Sequence, residues 1–172
     1  MTAERIPDVT PRTTPIVPSA RVDALNILHS MLRVTTVDAG AGLGVSIDDR
    51  QAAYDITKHL IETGATKLAM LAHRGARSGQ LREEGFRQAL EEAGLEDDQI
   101  LLGEGNFGFH AGRNLTKKLL EAKDLPAAIF CGTDVVAAGC VRALTDAGLR
   151  GPEDIAVAGF DVSAQAEMGV PG

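Results

Sequence analysis

Two apolar runs in this chain stop on polar residues that could meet a ligand. Leu125-Pro126-Ala127-Ala128-Ile129-Phe130-Cys131 closes on Gly132-Thr133-Asp134, and Ile155-Ala156-Val157-Ala158 closes on Gly159-Phe160-Asp161. In open α/β sheets ligands bind beyond the carboxyl ends of the strands, so a carboxylate placed there accepts hydrogen bonds from a polar ligand. Thr133 and Asp134 also open a helical pattern, where they cap the helix or face the cleft. The loop Ala72-His73-Arg74-Gly75-Ala76-Arg77-Ser78-Gly79 sets two arginines and a hydroxyl at a helix N-terminus, whose exposed N–H groups and dipole favour anions. The same charges would equally offset the nearby Glu83 and Glu84. Phe107 follows a Gly-Asn turn; with 5 Phe, 1 Tyr and no Trp in the chain, an aromatic on a loop suits stacking on the apolar face of a sugar or base. Core packing accounts for it nearly as well.

Bond-making chemistry is not expected. The chain carries no nucleophile elbow and no P-loop, and His29, His59, His73 and His110 lack metal-ligand spacing. Gly40-Ala41-Gly42-Leu43-Gly44 mimics a dinucleotide fingerprint, yet its third glycine comes too early and Val45-Ser46-Ile47 reads as extended where a helix should begin. Neither an enzyme nor a cofactor site follows from these residues.

From Asp48 onward a helix-then-strand unit recurs and supplies the elements that must position these groups. The first helix starts near Asp48 or Asp49, buries Ala52, Ala53, Ile56, Leu60 and Ile61, and stops at Gly64 as a left-handed cap. Strand 67–72 follows, then a helix from about Ser78 to Ala93 burying Leu81, Phe86, Ala89 and Leu90, with Glu83 four before Arg87 and Gly94 at its end. A short strand at 99–102 leads to a helix from about Phe109 to Lys123 that buries Ala111, Leu115, Leu119 and Leu120. Strand 126–131 leads to a helix from about Thr133 to Ala147 that buries Val136, Ala137, Val141 and Leu144; Gly148 ends it before strand 155–160. Alternating helices and short apolar strands call for a parallel sheet covered on both faces, a doubly wound, Rossmann-like α/β lobe. Val34-Thr35-Thr36-Val37 reads as a further strand of that sheet, closed by Asp38, which puts Asp38, Asp134 and Asp161 at one sheet edge. Val22 to Leu28 fits a strand or, with Met31 and Leu32, a helical stripe.

Composition sets the outer limits. The chain has 172 residues, 44% hydrophobic and 24% charged, enough for one domain with a core. A net charge of −7 with no basic run argues against direct nucleic-acid binding and against an anionic membrane partner. Cys131 and Cys140 suit reduced core thiols and a reducing cytoplasm. Residues 1–20, with Pro7, Pro11, Pro15 and Pro18, form neither a signal peptide nor a membrane span and read as a flexible arm. Residues 21–45 and 46–172 make up the remainder.

Several motifs in order carry a family resemblance. Phe130-Cys131-Gly132-Thr133-Asp134-Val135-Val136-Ala137-Ala138-Gly139, Arg142-Ala143-Leu144, Gly148-Leu149 and Pro152-Glu153-Asp154-Ile155-Ala156-Val157-Ala158-Gly159-Phe160-Asp161 resemble the effector-binding domain of LacI/GalR-type transcription regulators. So do Ser78-x-x-x-Arg82-x-x-Gly85-Phe86, Gly105-Asn106-Phe107 with Ala111-Gly112, and Asp48-x-x-x-Ala52, over about Val34 to Asp161. The resemblance implies a periplasmic-binding-protein-like second lobe at 46–172, a first-lobe remnant at 21–45 and no helix-turn-helix headpiece. It implies that Arg82 and Asp161 hydrogen-bond hydroxyls of a sugar or related effector and that Ser78 is a contact, though Ser78 is also a good N-cap. It places Asp38 as a contact from the hinge side, and it departs at Thr133, where the family more often has Asn.

Half a site open to water should bind weakly. A lobe without its companion should also self-associate or pair with a full-length regulator, through the fourth helix at Val136, Cys140 and Val141 and the segment at Met168 and Val170.

Overall fold

The computed structural model describes residues 34–38, 43–96, 100–103 and 107–160. Among them, strand β3 (Leu68–Ala72) is flanked by β4 (Ile100–Leu102) on one side and β5 (Ala128–Cys131) on the other, with β6 (Ala156–Ala158) outside β5, all parallel. Helices α1 (Asp49–Glu62), α2 (Arg77–Glu92), α3 (Phe109–Leu120) and α4 (Asp134–Asp146) connect them. The two-residue period of a strand sorts the core into two layers. Leu68, Met70, Ala72, Ala128 and Phe130 face α1 and α2, meeting Ile56, Leu60, Phe86 and Leu90. Ala69, Leu71, Ile129 and Cys131 face α3 and α4, meeting Leu115, Leu119, Val136 and Leu144. Phe86 and Phe130 are fully buried and stack at 6.2 Å, each contributing about 1.5–3 kcal/mol of apolar burial.

Local signals fix the helix ends. Asp48 caps α1, its carboxylate accepting from the Gln51 N–H at 3.0 Å. Just after α1, α2 and α4 stand Gly64, Gly94 and Gly148 with φ of +103°, +68° and +77°, the left-handed turn that stops a helix. Helix pairs approach closely where side chains vanish. A Cβ on Gly85 would collide with the Arg50 carbonyl of α1, one on Gly139 with the Phe109 carbonyl of α3, and one on Gly112 with the Val136 carbonyl of α4.

Two expectations are corrected. Val34–Asp38 (β1) does not join the parallel sheet; it pairs antiparallel with Leu43–Ile47 (β2) in a two-stranded sheet of its own, Val34 opposite Ile47 and Asp38 opposite Leu43. The reason is the short connection: residues 39–42 are too few for the crossover that parallel strands need. Val136 and Cys140 are fully buried against the sheet, so they cannot form a self-association surface, whereas Val141, expected to be buried, is exposed. Residues 1–33, with the arm and the Val22–Leu28 segment, lie outside the described residues, as do Met168 and Val170.

Candidate functional site

Chain order along the sheet reverses between β3 and β5. The helix that follows β3 lies on one face and the helix that follows β5 lies on the other, so their departing chains leave a crevice at the strands' carboxyl ends, the place where doubly wound sheets take ligands. A cleft of about 170 Å³ lies there. Met70 and Ala72 line it from β3, Ser78 and Arg82 from α2, Gly132 and Thr133 from the turn after β5. Ala76 and Gly79 line it as well, as do His73 and Phe107, whose rings are parallel to within 16° at 5.2 Å.

Main-chain bonds hold the rim. The Gly132 N–H donates to the Leu71 carbonyl at 3.0 Å, the Gly103 N–H to the Ala72 carbonyl at 2.9 Å, and the Asp134 N–H to the Phe160 carbonyl at 2.8 Å. A larger hollow of about 580 Å³ between α3 and α4, lined by Arg113, Lys117 and Asp146, lies away from the strand ends. There Arg113 already donates to Asp146 at 2.8 Å. The smaller cleft is the better candidate, because the fold converges chain ends upon it.

Arg82 is the most constrained side chain of the cleft. Its Nε donates to Asp49 Oδ1 at 2.7 Å, its Nη2 lies 2.7 Å from the same oxygen, and its Nη1 donates to the Gly132 carbonyl at 2.5 Å. The guanidinium carbon sits 3.6 Å from the centre of the Phe160 ring. One residue thereby ties α2 to the start of α1, to the turn after β5 and to the end of β6. Arg74, on the loop after β3, turns away to Glu83: Nε donates at 2.7 Å, and Nη2 makes a second contact. Arg87 donates to the same carboxylate at 3.1 Å, the i,i+4 pair expected from the sequence. Glu83 is 8% exposed, and the two guanidinium groups, Arg74 foremost, hold its carboxyl below the usual carboxylate range against the cost of burial.

The structure brings four of the seven candidate residues, Ser78, Arg82, Phe107 and Thr133, to one cleft. Ser78 is not the N-cap: α2 begins one residue earlier, Ala76 takes the cap position without a side-chain bond, and Ser78 stands in the first turn. Thr133 does both things open to it, capping α4 by accepting from the Val136 N–H at 3.3 Å while lining the cleft. Asp134 is not among the lining residues; its carboxylate packs where a Cβ on Gly159 would lie, 2.6 Å from Oδ1. Asp38 ends a strand of the separate hairpin, so strand pairing does not bring it to the edge that carries the cleft. Asp161 lies outside the described residues. Asp49, Phe160 and His73 were missed as parts of the site. The doubled Asp48-Asp49 was the available signal for the first: one acid caps α1, leaving the other to meet Arg82.

Fold and cleft define a doubly wound α/β lobe with its opening at the sheet's switch point. The chain belongs to the periplasmic binding protein-like domain family, whose model matches residues 57–172. It is similar to LacI-family transcription regulators. It is 38% identical to the HTH-type transcriptional regulator DegA of Bacillus subtilis over 74% of this chain and 38% of DegA. It is 36% identical to the HTH-type transcriptional repressor PurR of Haemophilus influenzae over 81% of this chain and 43% of PurR. Among solved structures, the CelR regulator in complex with cellobiose aligns at a TM-score of 0.66 and 35% identity, over 70% of this chain and 37% of CelR. A LacI-family sugar-binding regulator of Escherichia coli complexed with phosphate aligns at 0.66 and 27%, over 70% of this chain and 44% of that one. The chain therefore spans about two fifths of the length of these relatives, which are regulators and not enzymes. No helix among the described residues is long and apolar enough to cross a membrane.

Proposed function

We propose that this chain is the effector-binding lobe of a cytoplasmic LacI-type transcription regulator and that it senses a sugar-like small molecule at the cleft between β3 and β5. The observation that carries the reading is the convergence of Ser78, Arg82, Phe107 and Thr133 at the switch point, two hydroxyls, an anchored guanidinium and an aromatic face within one opening. Nothing there performs chemistry; the work is differential binding, in which the ligand favours one arrangement of the regulator over another. The cleft's 170 Å³ is small beside the roughly 300–1,000 Å³ of well-formed ligand pockets, so binding by this lobe alone is weak. A thermal-shift screen of free and phosphorylated sugars and of purines, read with the mass in solution, tests the proposal. A ligand at ten times its Kd stabilises by about 1.4 kcal/mol and raises Tm by roughly 3–6 °C. A flat response across that panel at millimolar concentration would remove the effector-binding reading.

A second reading, a lobe that pairs with itself or with a full-length regulator, is favoured by apolar exposure on the α3–α4 layer, where Phe109, Val135 and Val141 stay in contact with solvent. Sedimentation across a concentration series tests the self-pairing: a constant mass near 18.0 kDa sinks it, and a dimer abolished by Val141→Asp supports it.

A further inference from the structure

We propose that Glu83, which does not line the cleft, is a positioning residue for it: its carboxylate latches Arg74 and so holds His73 against Phe107, an inference that rests on the effector-binding reading of that site. The loop from His73 to Ala76 joins β3 to α2 and carries the His73 side of the cleft. Among the described residues no main-chain hydrogen bond ties His73, Arg74 or Gly75 to another element. Side chains of α2 hold the loop instead. Glu83 accepts from the Arg74 Nε at 2.7 Å and meets its Nη2 as well, a bidentate fork that fixes direction as well as distance. Gln80 Nε2 donates to the Arg74 carbonyl at 3.0 Å.

The two ties differ in strength. The Gln80 bond is neutral and exposed, where water competes for both partners. The Glu83 side chain is only 8% exposed, and its charge-assisted bonds are roughly twice as strong as neutral ones. Burial commits Glu83 further, because a carboxylate withdrawn from water needs its cations, and Arg74 and Arg87 supply them. Of these only Arg74 stands on the loop; Arg87 lies on α2 itself, four residues after Glu83. Arg77 and Glu84, both exposed, take no part: among the described residues neither forms an ion pair. With Arg74 held, the course of its neighbour His73 is set. The His73 carbonyl lies where a Cβ on Gly79 would stand, and a Cβ on Gly75 would come within 2.5 Å of the His73 Cε1. The loop thus folds over the first turn of α2 with the imidazole stacked on Phe107, parallel to within 16° at 5.2 Å. A ligand then meets a wall already in place and loses less entropy on binding than if it had to order the loop itself.

The test reads the free, full 172-residue chain by NMR. In the wild type, NOEs should join the His73 and Phe107 ring protons, and backbone order parameters at 73–76 should be about 0.85, the value of rigid backbone. Glu83→Gln, which keeps the shape and removes the charge, should lose those NOEs and bring the order parameters at 73–76 below about 0.6, while Ala53 and Ile56 on α1 stay rigid. These are properties of the folded chain, so a uniform loss of stability does not move them. If Glu83→Gln does not fold, Arg74→Ala, at a side chain 51% exposed, breaks the same latch and should give the same result. Arg87→Gln, which leaves the Arg74 fork in place, should keep the loop ordered. A loop that stays ordered in Glu83→Gln or in Arg74→Ala overturns the proposal, as does an Arg87→Gln chain that loses the His73–Phe107 contact to the same extent. Because no ligand is added, either failure leaves the effector-binding reading standing. A flat thermal-shift screen removes that reading and leaves the latch as a feature of the fold alone.

Discussion

Replacing Arg82 with alanine would release three anchors at once. The guanidinium bridges to Asp49, donates to the Gly132 carbonyl and lies over Phe160. Removing one partner of a buried pair costs about 3–5 kcal/mol, while the exposed limit is below 1 kcal/mol. At 11% and 15% exposure the Arg82 and Asp49 side chains stand near the buried end. Arg82→Ala is therefore expected to destabilise by about 3–4 kcal/mol, its hydrogen bonds and ring contact overlapping instead of adding. Asp49→Ala should cost less, about 2–3 kcal/mol, because Arg82 keeps Gly132 and Phe160. The double variant should lose only about 4 kcal/mol, which leaves a coupling energy near 2 kcal/mol. Urea unfolding with unchanged m-values measures all four species, and the Arg82→Ala midpoint should drop by roughly 10 °C in a thermal scan. The exposed Arg142–Asp146 pair, with Arg142 62% exposed, serves as the internal contrast and should couple by less than about 0.5 kcal/mol. Additivity of Arg82→Ala and Asp49→Ala to within about 0.5 kcal/mol would refute the reasoning that this pair anchors the cleft.

Gly139→Ala should destabilise by about 1–3 kcal/mol in the same urea assay, since the new methyl meets the rigid Phe109 carbonyl and forces α3 and α4 apart; a neutral result would mean that this close approach is not needed. Glu83 is held in its charged form by Arg74 and Arg87, so its folded pKa is depressed, and the stability it contributes is present above its ordinary 4.5 and lost as pH falls through the folded value. Glu83→Gln should accordingly be less stable than wild type at pH 7, with the gap closing as pH falls below 4.5 and through the folded value, and parallel pH profiles would remove the ion-pair account. Burial pushes the Cys131 thiol up and leaves the side chain without solvent contact, so iodoacetamide should label it only as fast as the chain opens; rapid labelling of the native protein would contradict the core assignment.

Periodicity made most of the lobe legible. The apolar spacing along α1 to α4 and the glycines that stop α1, α2 and α4 are local signals, and the structure places those elements within a few residues of where the sequence reading puts them. The antiparallel pairing of β1 with β2 was not legible from β1 itself, because a β-compatible run says nothing about its partner; only four residues separate the two strands, and that spacing excludes a parallel crossover between them. Val136 and Cys140 were placed on a surface by analogy, while their spacing with Ala143 and Leu144 already marked the core face of α4. The Arg82–Asp49 contact joins residues 33 apart in the chain and could not be read from either neighbourhood. Of the two acids Glu83 and Glu84 that the sequence offers to the basic loop, Glu83 is the one that meets Arg74, and Arg87 shares it.

The way the cleft is fixed bears on how discrimination would arise there. Side chains already ordered in the free lobe lose little entropy when a ligand arrives, and Arg82 and the Gly132–Thr133 turn are of that kind. Their contribution to any ligand is a fixed geometry, so ligands that match it differ little in what they gain from it. Selectivity then falls to the other groups around the opening, the His73–Phe107 wall and the carboxylates of Asp49 and Glu83 that hold Arg82 and Arg74. Substituting that wall or those charges should alter which ligand binds while leaving the fold largely intact where the group is on the rim. Substituting Arg82 should unsettle the lobe first and its ligand preference only through that loss.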